Sequence, residues 1–365
     1  MKISATRAEV LNPLQSVIGV VERRQTMPIL ANVLLAARNN RLSITGTDLE
    51  VELVASSEAN VQQAGDVTVP GRKLLDIFRA LPEEAKVTLT TEGDRVVVRA
   101  GRSRFTLSSL PAAEYPVVEE IHAQQTLSVP QPEFRRLIEK THFSMAQQDV
   151  RYYLNGLLVE AEGPSLRAVA TDGHRLAICE CTLEQPAKNA QQVIVPRKGV
   201  LELQRLLGTD GAIELAIGTN HIRAQIGDVR FTSKLIDGRF PEYSRVIPSS
   251  PSRLIEGDRE ALRHALQRTA ILSNEKYRGV RLSVKPDLLT VQAHNPEQEE
   301  AEDQVEVNYQ GDEVEIGFNV TYLLDALAAV DGEKVQIGLG DANSSCLIRA
   351  DAGARARYVV MPMRL

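Results

Sequence analysis

Thr171-Asp172-Gly173-His174-Arg175-Leu176-Ala177-Ile178 is the stretch on which the reading of this chain turns. Alone it has the look of an active-site loop, with an acid, a flexible glycine and a histidine in succession. In context it lies in the middle of a unit that occurs three times. The matching places of the other copies carry Asp48-Leu49 and Asn295-Pro296, without the histidine.

Pro132, upstream of the loop, opens a helix that keeps Phe134, Leu137, Ile138 and Thr141 on one face. Strands are expected at 154–160 and 166–170. Val195-Pro196-Arg197 then leads into a second helix reaching Leu207, and strands follow at 213–217, 222–226 and 230–235. The same order precedes it. A helix at 7–18 carries Leu11, Leu14 and Ile18 at helical spacing, with Pro13 inside. Strands at 32–37, 41–45 and 47–53 precede Val69-Pro70-Gly71 and a helix at 72–81; strands at 86–91, 95–100 and 104–110 close the copy. It also follows. Asp258 is a good N-cap for a helix with Leu262, Ala265, Leu266 and Thr269 inward. Phe318-Asn319-Val320 replaces the Val-Pro entry to a second helix ending near Val330, and strands are expected at 280–284, 288–294, 334–339, 345–349 and 357–363.

Landmarks recur at intervals of roughly 125 residues: Thr47 and Thr171; Val69, Val195 and Phe318; Phe105, Phe231 and Tyr358. The fold class expected is α+β, as three similar domains with two helices and about eight strands each, at 1–123, 124–250 and 251–365.

Composition agrees. The 365 residues are 43% hydrophobic and 25% charged, with no Trp, so the cores rest on Leu, Ile, Val and Ala. No apolar run approaches the roughly 18 residues of a membrane span. The start, Met1-Lys2-Ile3-Ser4-Ala5-Thr6-Arg7, reads directly into charged sequence and is not expected to be a signal peptide. Cys179, Cys181 and Cys346 are expected as reduced packing residues of a cytoplasmic protein. Cys179-Glu-Cys181 is too short for the usual arm of a zinc site, the six histidines lack ligand spacing, and no metal or cofactor is expected. There is no phosphate loop, dinucleotide fingerprint or nucleophile elbow. Asp172 and His174 could belong to a Ser-His-Asp triad with Ser144 or Ser233, but nothing in the sequence supports the pairing. The ordinary reading is a tight polar turn. A third reading is a binding rim, because Leu154 and Leu176 lie on adjacent strand ends.

A net charge of −6 argues against indiscriminate nucleic-acid binding. The helices nevertheless lean basic: Arg7, Arg23, Arg24, then Arg72, Lys73, Arg79, then Arg135, Arg136, Lys140, then Arg197, Lys198, Arg205, then Arg259, Arg263, Arg268. Any one such face is ordinarily a solvated one. Together they fit a surface that tracks phosphate without reading bases. Glu297, Glu299, Glu300, Glu302, Asp303 and Glu306 crowd the third copy, whereas Arg99, Arg102 and Arg104 cluster in the first beside Phe105 and Leu107. Either these are two solvated patches, or they meet head to tail between copies of the chain, with Ile271 and Leu272 as the apolar part.

Thr171–Ala177, the run Ser-Met-Ala-Gln-Gln-Asp-Val-Arg-Tyr-Tyr at 144–153, Asn295-Pro296-Glu297-Gln298-Glu299-Glu300-Ala301 and the last eight residues from Tyr358 resemble the bacterial DNA polymerase III beta subunit family, the sliding clamps. The resemblance covers the whole chain. It implies a non-catalytic processivity factor, a head-to-tail homodimer whose six domains form a ring, and double-stranded DNA threaded through it topologically, without sequence specificity. Implied DNA contacts are Arg24, Gln148, Tyr152 and Tyr153, to which the charge pattern adds Arg72, Lys73, Arg197 and Lys198. It also implies a hydrophobic cleft for extended peptides of the DNA polymerase III alpha subunit, clamp loader, repair polymerases, ligase and mismatch-repair proteins. The matching positions are Leu154, Thr171, Gly173, His174, Arg175, Leu176, Pro241, Arg245, Val246, Asn319, Tyr322, Ser345, Val359, Val360, Met361, Pro362, Met363 and Arg364. Tyr277 stands where the resemblance implies phenylalanine, and Asn343 where it implies an apolar residue.

Overall fold

The computed structural model describes residues 1–22, 27–118 and 121–364. Among these, six α-helices of two turns or more alternate with antiparallel strands. The helices are α1 (Arg7–Val17), α2 (Gly71–Ala80), α3 (Gln131–Glu139), α4 (Arg197–Leu206), α5 (Arg259–Ala270) and α6 (Val320–Ala329). The helix starts follow from local chemistry. Thr6 and Glu9 form a reciprocal capping box at α1: the Thr6 hydroxyl accepts from Glu9 N at 3.3 Å and the Glu9 carboxylate from Thr6 N at 2.7 Å. Asp258 caps α5 by accepting from Ala261 N at 2.7 Å, and Asn319 caps α6 through Thr321 N and Tyr322 N.

The chain forms two compact units, Met1–Phe134 with Lys198–Leu235, and Arg135–Arg197 with Ile236–Leu365. In the first, a five-stranded sheet runs Asn60–Gln63, Lys2–Thr6, Lys86–Glu92, Arg95–Ala100, Ser103–Ser108. Its eight-stranded sheet runs Gln125–Pro130, Ala212–Ile217, His221–Ile226, Val229–Lys234, Val51–Glu58, Arg41–Thr47, Asn32–Arg38, Gly65–Pro70. α1 and α2 bury Leu14, Leu74, Leu75 and Phe78. In the second unit, the eight-stranded sheet runs Gln191–Pro196, Gly156–Glu162, Ser165–Thr171, Arg175–Thr182, Ala356–Val360, Cys346–Arg349, Lys334–Leu339, Arg253–Asp258. A four-stranded sheet runs Glu300–Glu306, Leu288–His294, Gly279–Lys285, Val314–Asn319. α5 and α6 bury Leu262, Leu266, Leu323 and Leu327.

Each eight-stranded sheet therefore draws four strands from each of two sequence repeats. The seams are equivalent. Phe231 stands opposite Leu53 in one, and Tyr358 opposite Ala177 in the other. The short strands Lys2–Thr6, Gln125–Pro130 and Arg253–Asp258 that open the repeats, and the acidic strand Glu300–Glu306, were not among the strands expected. Their apolar content is too small to announce a strand. In Glu300–Glu306 only Val305 is fully buried, and the rest of the strand is held by backbone pairing with Leu288–His294.

Candidate functional site

The Thr171 loop is first of all a turn. The Thr171 hydroxyl donates to Arg175 O at 2.6 Å and accepts from Gly173 N at 3.1 Å. Asp172 Oδ1 accepts from His174 N and Arg175 N, at 2.9 and 3.1 Å. The loop at Thr47 repeats the scheme bond for bond: Thr47 donates to Val51 O and accepts from Leu49 N, and Asp48 accepts from Glu50 N and Val51 N. The Thr-Asp pair builds the turn in both copies. Position three of the turn is left-handed in each, at φ 90° for Gly173 and 78° for Leu49. A Cβ at Gly173 would stand 2.9 Å from the Arg151 guanidinium, so glycine answers both conformation and space there.

The Asp172 carboxylate is engaged by the turn's N–H groups and by Arg175 Nε at 3.1 Å. Arg175 is the hub of this surface. Its guanidinium also bonds Asp325 at 2.5 Å and the Phe143 carbonyl at 2.7 Å, and stacks over the Tyr322 ring. His174 is exposed, and its carbonyl accepts from Met361 N at 2.9 Å.

The other positions expected in the cleft divide by depth. Leu154, Leu176, Val359 and Val360 are fully buried, and Thr171 nearly so. Leu176 and Val359 share an apolar cluster with Leu158, Val169, Ile178, Ile194, Phe240 and Leu347. Gly173, Asn319, Tyr322, Ser345, Met361, Pro362 and Met363 are half-buried; Pro241, Arg245, Val246 and Arg364 are exposed. The tail beyond Val360 is tied down by Met361 N to His174 O and Met363 N to Gly317 O, both 2.9 Å. Apolar side chains above a buried apolar floor, with a few fixed polar groups, make a surface suited to an extended apolar peptide. The first unit differs at the equivalent floor position. There Glu52 replaces Leu176, and its carboxylate accepts from Val118 N at 2.9 Å. Burial raises its pKa, with the Val118 bond and Arg230 and Arg223 opposing.

Of the positions expected to contact DNA, Arg24 lies outside the described residues. Lys73, Gln148 and Tyr152 are exposed. Tyr153 instead packs against the apolar cluster, its ring edge-on to Tyr152 at 5.9 Å. Arg72 turns inward to donate to Val21 O at 2.8 Å, and Arg197 is half-buried. Lys198 is clamped between Asp48 and Glu22. The basic bias of the helices is thus partly structural. Arg7 caps the end of α2 through Phe78 O and Arg79 O. Arg136 and Lys140 pair with Asp331, Arg205 with Glu202, Arg263 with Glu260, and Arg268 with Asp303. Counting arginines in sequence overstated the free positive charge: Arg205 and Arg263 pair with a glutamate one turn back, while Arg136, Lys140 and Arg268 find their partners in distant segments.

Arg102, in the turn before the edge strand Ser103–Ser108, and Arg104, on it, are exposed, with Phe105 half-buried and Leu107 buried. Glu297, Glu299, Glu300 and Glu302 are exposed on and before the edge strand Glu300–Glu306. Ile271 is 77% exposed just past α5, with Leu272 half-buried. Tyr277 is exposed, and its carbonyl accepts from Asn319 at 3.3 Å.

Sequence reasoning missed one group. Glu160, 8% exposed, accepts from Arg167 Nη1 at 2.6 Å and from the Tyr243 hydroxyl at 3.2 Å through Oε1, and from Gln192 through Oε2. The available signal was the dipeptide Glu-Tyr, present at Glu114-Tyr115 and again at Glu242-Tyr243 after the Phe105 and Phe231 strands.

Among the described residues no helix is long and apolar enough to cross a membrane. Family models for the DNA polymerase III beta subunit match along the chain: the N-terminal domain at 1–119, the central domain at 128–242 and the C-terminal domain at 244–364. The chain is 54% identical to the beta sliding clamp of Pseudomonas aeruginosa and 52% identical to that of Escherichia coli K12, each over the full length of both chains. It superposes on a crystal structure of the P. aeruginosa DNA polymerase III subunit beta with a TM-score of 0.98 at 53% identity, and on a P. aeruginosa clamp bound to griselimycin with 0.96 at 54%, covering 100% of each chain. A Caulobacter crescentus clamp gives 0.96 at 40% identity, covering 100% of this chain and 99% of that one. The chain belongs to the DNA polymerase III beta subunit family, the beta sliding clamps.

Proposed function

We propose that two copies of this chain join head to tail into a ring that encircles duplex DNA, slides on it, and tethers the replicative polymerase through the surface around Leu176 and Met361. The three domains are 1–123, 124–250 and 251–365. The observation that carries the ring is the equivalence of the two seams. In each, the strand with Phe231 or Tyr358 pairs with the strand after a Thr-Asp turn. Two strands of those same types stand at open sheet edges, Ser103–Ser108 with its arginines and Glu300–Glu306 with its glutamates. Edge strands of opposite charge on one chain invite pairing with a second copy.

Sliding needs loose contacts to backbone phosphate and no base readout. Lys73, Gln148, Tyr152 and the half-buried Arg72 and Arg197 are the described groups for it, together with Arg24. Tyr152 carries the stacking role on a single strand. Lys198 braces the fold through Asp48 and Glu22 and contributes least. Retention by topology makes a net charge of −6 no obstacle. The cleft takes the extended peptides of the polymerase alpha subunit, clamp loader, repair polymerases, ligase and mismatch-repair proteins. Met361 and Met363 repack around different clients. The chain works in the cytoplasm, without a cofactor and without turnover of its own.

The test is retention. The protein is loaded on nicked circular plasmid by a bacterial clamp loader with ATP, the complex is isolated, and the plasmid is linearised. Release on cutting is the expected result. Equal retention on circular and linear DNA would mean direct affinity and would end the topological reading.

A further inference from the structure

The segment from Phe240 to Ile247 supplies Pro241, Arg245 and Val246 to the cleft, yet it belongs to no strand. Its regular structure is one 3-10 turn, Tyr243–Val246. What fixes it is side-chain chemistry. Phe240, Tyr243 and Ile247 pack on the apolar cluster that contains Leu176 and Val359. The Tyr243 hydroxyl then donates to Glu160 Oε1 and accepts from Arg167 Nη1, both at 3.2 Å. Arg167 in turn bonds Glu160 at 2.6 Å and Glu180 at 3.2 Å. Donor and acceptor of the hydroxyl are both used, on a charged pair, in a partly desolvated place. Hydrogen bonds of that kind are the stronger ones.

The first repeat anchors its own tyrosine differently. Tyr115 donates to the carbonyls of Asn32 and Thr45, at 3.3 and 3.1 Å. That tyrosine is 5% exposed, and Val118 N, three residues on, donates to Glu52. Of these two tyrosines, Tyr243 is the one tied to an ion pair. An open-mouthed pocket of about 350 Å³ borders the segment, lined by Leu158, Glu160, Arg167, Gln192, Phe240 and Tyr243 among others. The segment therefore has room to move if the anchor is lost.

We propose that Glu160, Arg167 and Tyr243 form a latch that positions the Pro241–Val246 wall, so that these three residues set client affinity without touching the client. The proposal rests on the peptide-cleft reading above. The experiment uses the full chain, Tyr243→Phe and Glu160→Gln, with griselimycin as the probe. Two quantities are measured: amide hydrogen exchange across 240–247 and griselimycin affinity. Tyr243→Phe keeps the ring and removes the hydroxyl. Exchange about tenfold faster in that segment, with affinity about fivefold weaker, is expected for the loss of a hydrogen bond to a charged partner. Glu160→Gln, which keeps an acceptor, falls between. Unchanged exchange in Tyr243→Phe overturns the latch. Faster exchange with unchanged affinity overturns its role in positioning. A wild-type chain that does not bind griselimycin overturns the cleft reading and the positioning role with it, while exchange still decides whether the latch exists.

Discussion

The guanidinium carbon of Arg175 lies 4.5 Å from the centre of the Tyr322 ring. The same guanidinium bonds Asp172, Asp325 and the Phe143 carbonyl. One side chain thus joins the Thr171 turn, α6 and the segment after α3. It is 13% exposed, whereas Asp325 is 38% exposed, so water softens one of its ion pairs. Arg175→Ala is expected to cost about 2 kcal/mol, below the usual range for a fully buried pair. Arg175→Lys should recover little of this, since an ammonium neither forks nor stacks as a guanidinium does. Thermal unfolding and griselimycin binding check it. Wild-type values in Arg175→Lys would show that charge alone matters.

Gly173 and Leu49 occupy the same place in two copies of one turn, with φ of 90° and 78°. An L-residue in this region costs about 1–2 kcal/mol. Gly173→Ala is expected to lower the unfolding temperature and to displace Arg151 from the Asp172 carbonyl, to which it now donates at 3.1 Å. Leu49→Gly is expected to be neutral or stabilising by about 0.5 kcal/mol, relief of strain being partly offset by unfolded-chain entropy. Differential scanning calorimetry of both variants separates the effects. A Leu49→Gly change that destabilises as much as Gly173→Ala would show that conformation is not what distinguishes the sites.

Glu52 links stability to pH. Burial, its largest influence, raises its folded pKa above 4.5. Between the unfolded and folded values the folded state holds more protons, so stability falls as pH rises through that window. Glu52→Gln keeps an acceptor for Val118 N and removes the buried charge. The gain in unfolding temperature over wild type should grow as pH rises from 4.5 and level off above the folded pKa. A difference that is flat with pH from 4 to 8 would refute the assignment of burial as the dominant influence.

The order of elements was legible because apolar spacing within helices and strands is a local property. Phe134, Leu137 and Ile138, expected inward, are buried, and Asp258 is the N-cap expected. The joining of repeats was not legible. Pairings such as Val229 with Ala55 and Arg175 with Val360 span most of a repeat or more, and nothing local encodes them. The same distance hid the partners of Arg136, Lys140 and Arg268, whereas Glu202 and Glu260 stood within a turn of Arg205 and Arg263. Lys198 reads as a free cation until Asp48 and Glu22 are brought beside it. Of the proposed cleft, the Gly-His loop stood out because the other repeats lack the histidine, whereas the terminal methionines entered only through the family resemblance. The Glu160 latch did not stand out, since a glutamate and an arginine in strands look like ordinary solvated faces.

Removal of residues 361–365 takes away the Met361 and Met363 tethers to His174 O and Gly317 O. Peptide binding should be lost while dimer formation is kept, because neither edge strand includes these residues. Griselimycin titration and analytical ultracentrifugation of the truncated chain test the two halves separately. Normal binding would remove the tail from the cleft.

The seams also predict the register between copies. Phe231 faces Leu53 and Tyr358 faces Ala177. Leu53 pairs across its hairpin with Gly46, Ala177 with Ala170, and Ala301 with Ala293, so Ala301 is the third member of that set. Phe105 of one copy should then face Ala301 of the other, and antiparallel pairing brings Arg104 opposite Glu302 and Thr106 opposite Glu300. Among the described residues Arg104 has a distant partner, Glu92 at 3.8 Å. Arg104→Glu and Glu302→Arg should each weaken the dimer about tenfold or more, since both seams of a ring carry the same repulsion, at about 1 kcal/mol per seam. The double variant should regain most of the loss, and the single-variant defects should shrink in high salt. Sedimentation equilibrium over a concentration series measures all three. A double variant no better than the worse single one would mean that these residues do not face each other, and the register taken from the internal seams would be wrong.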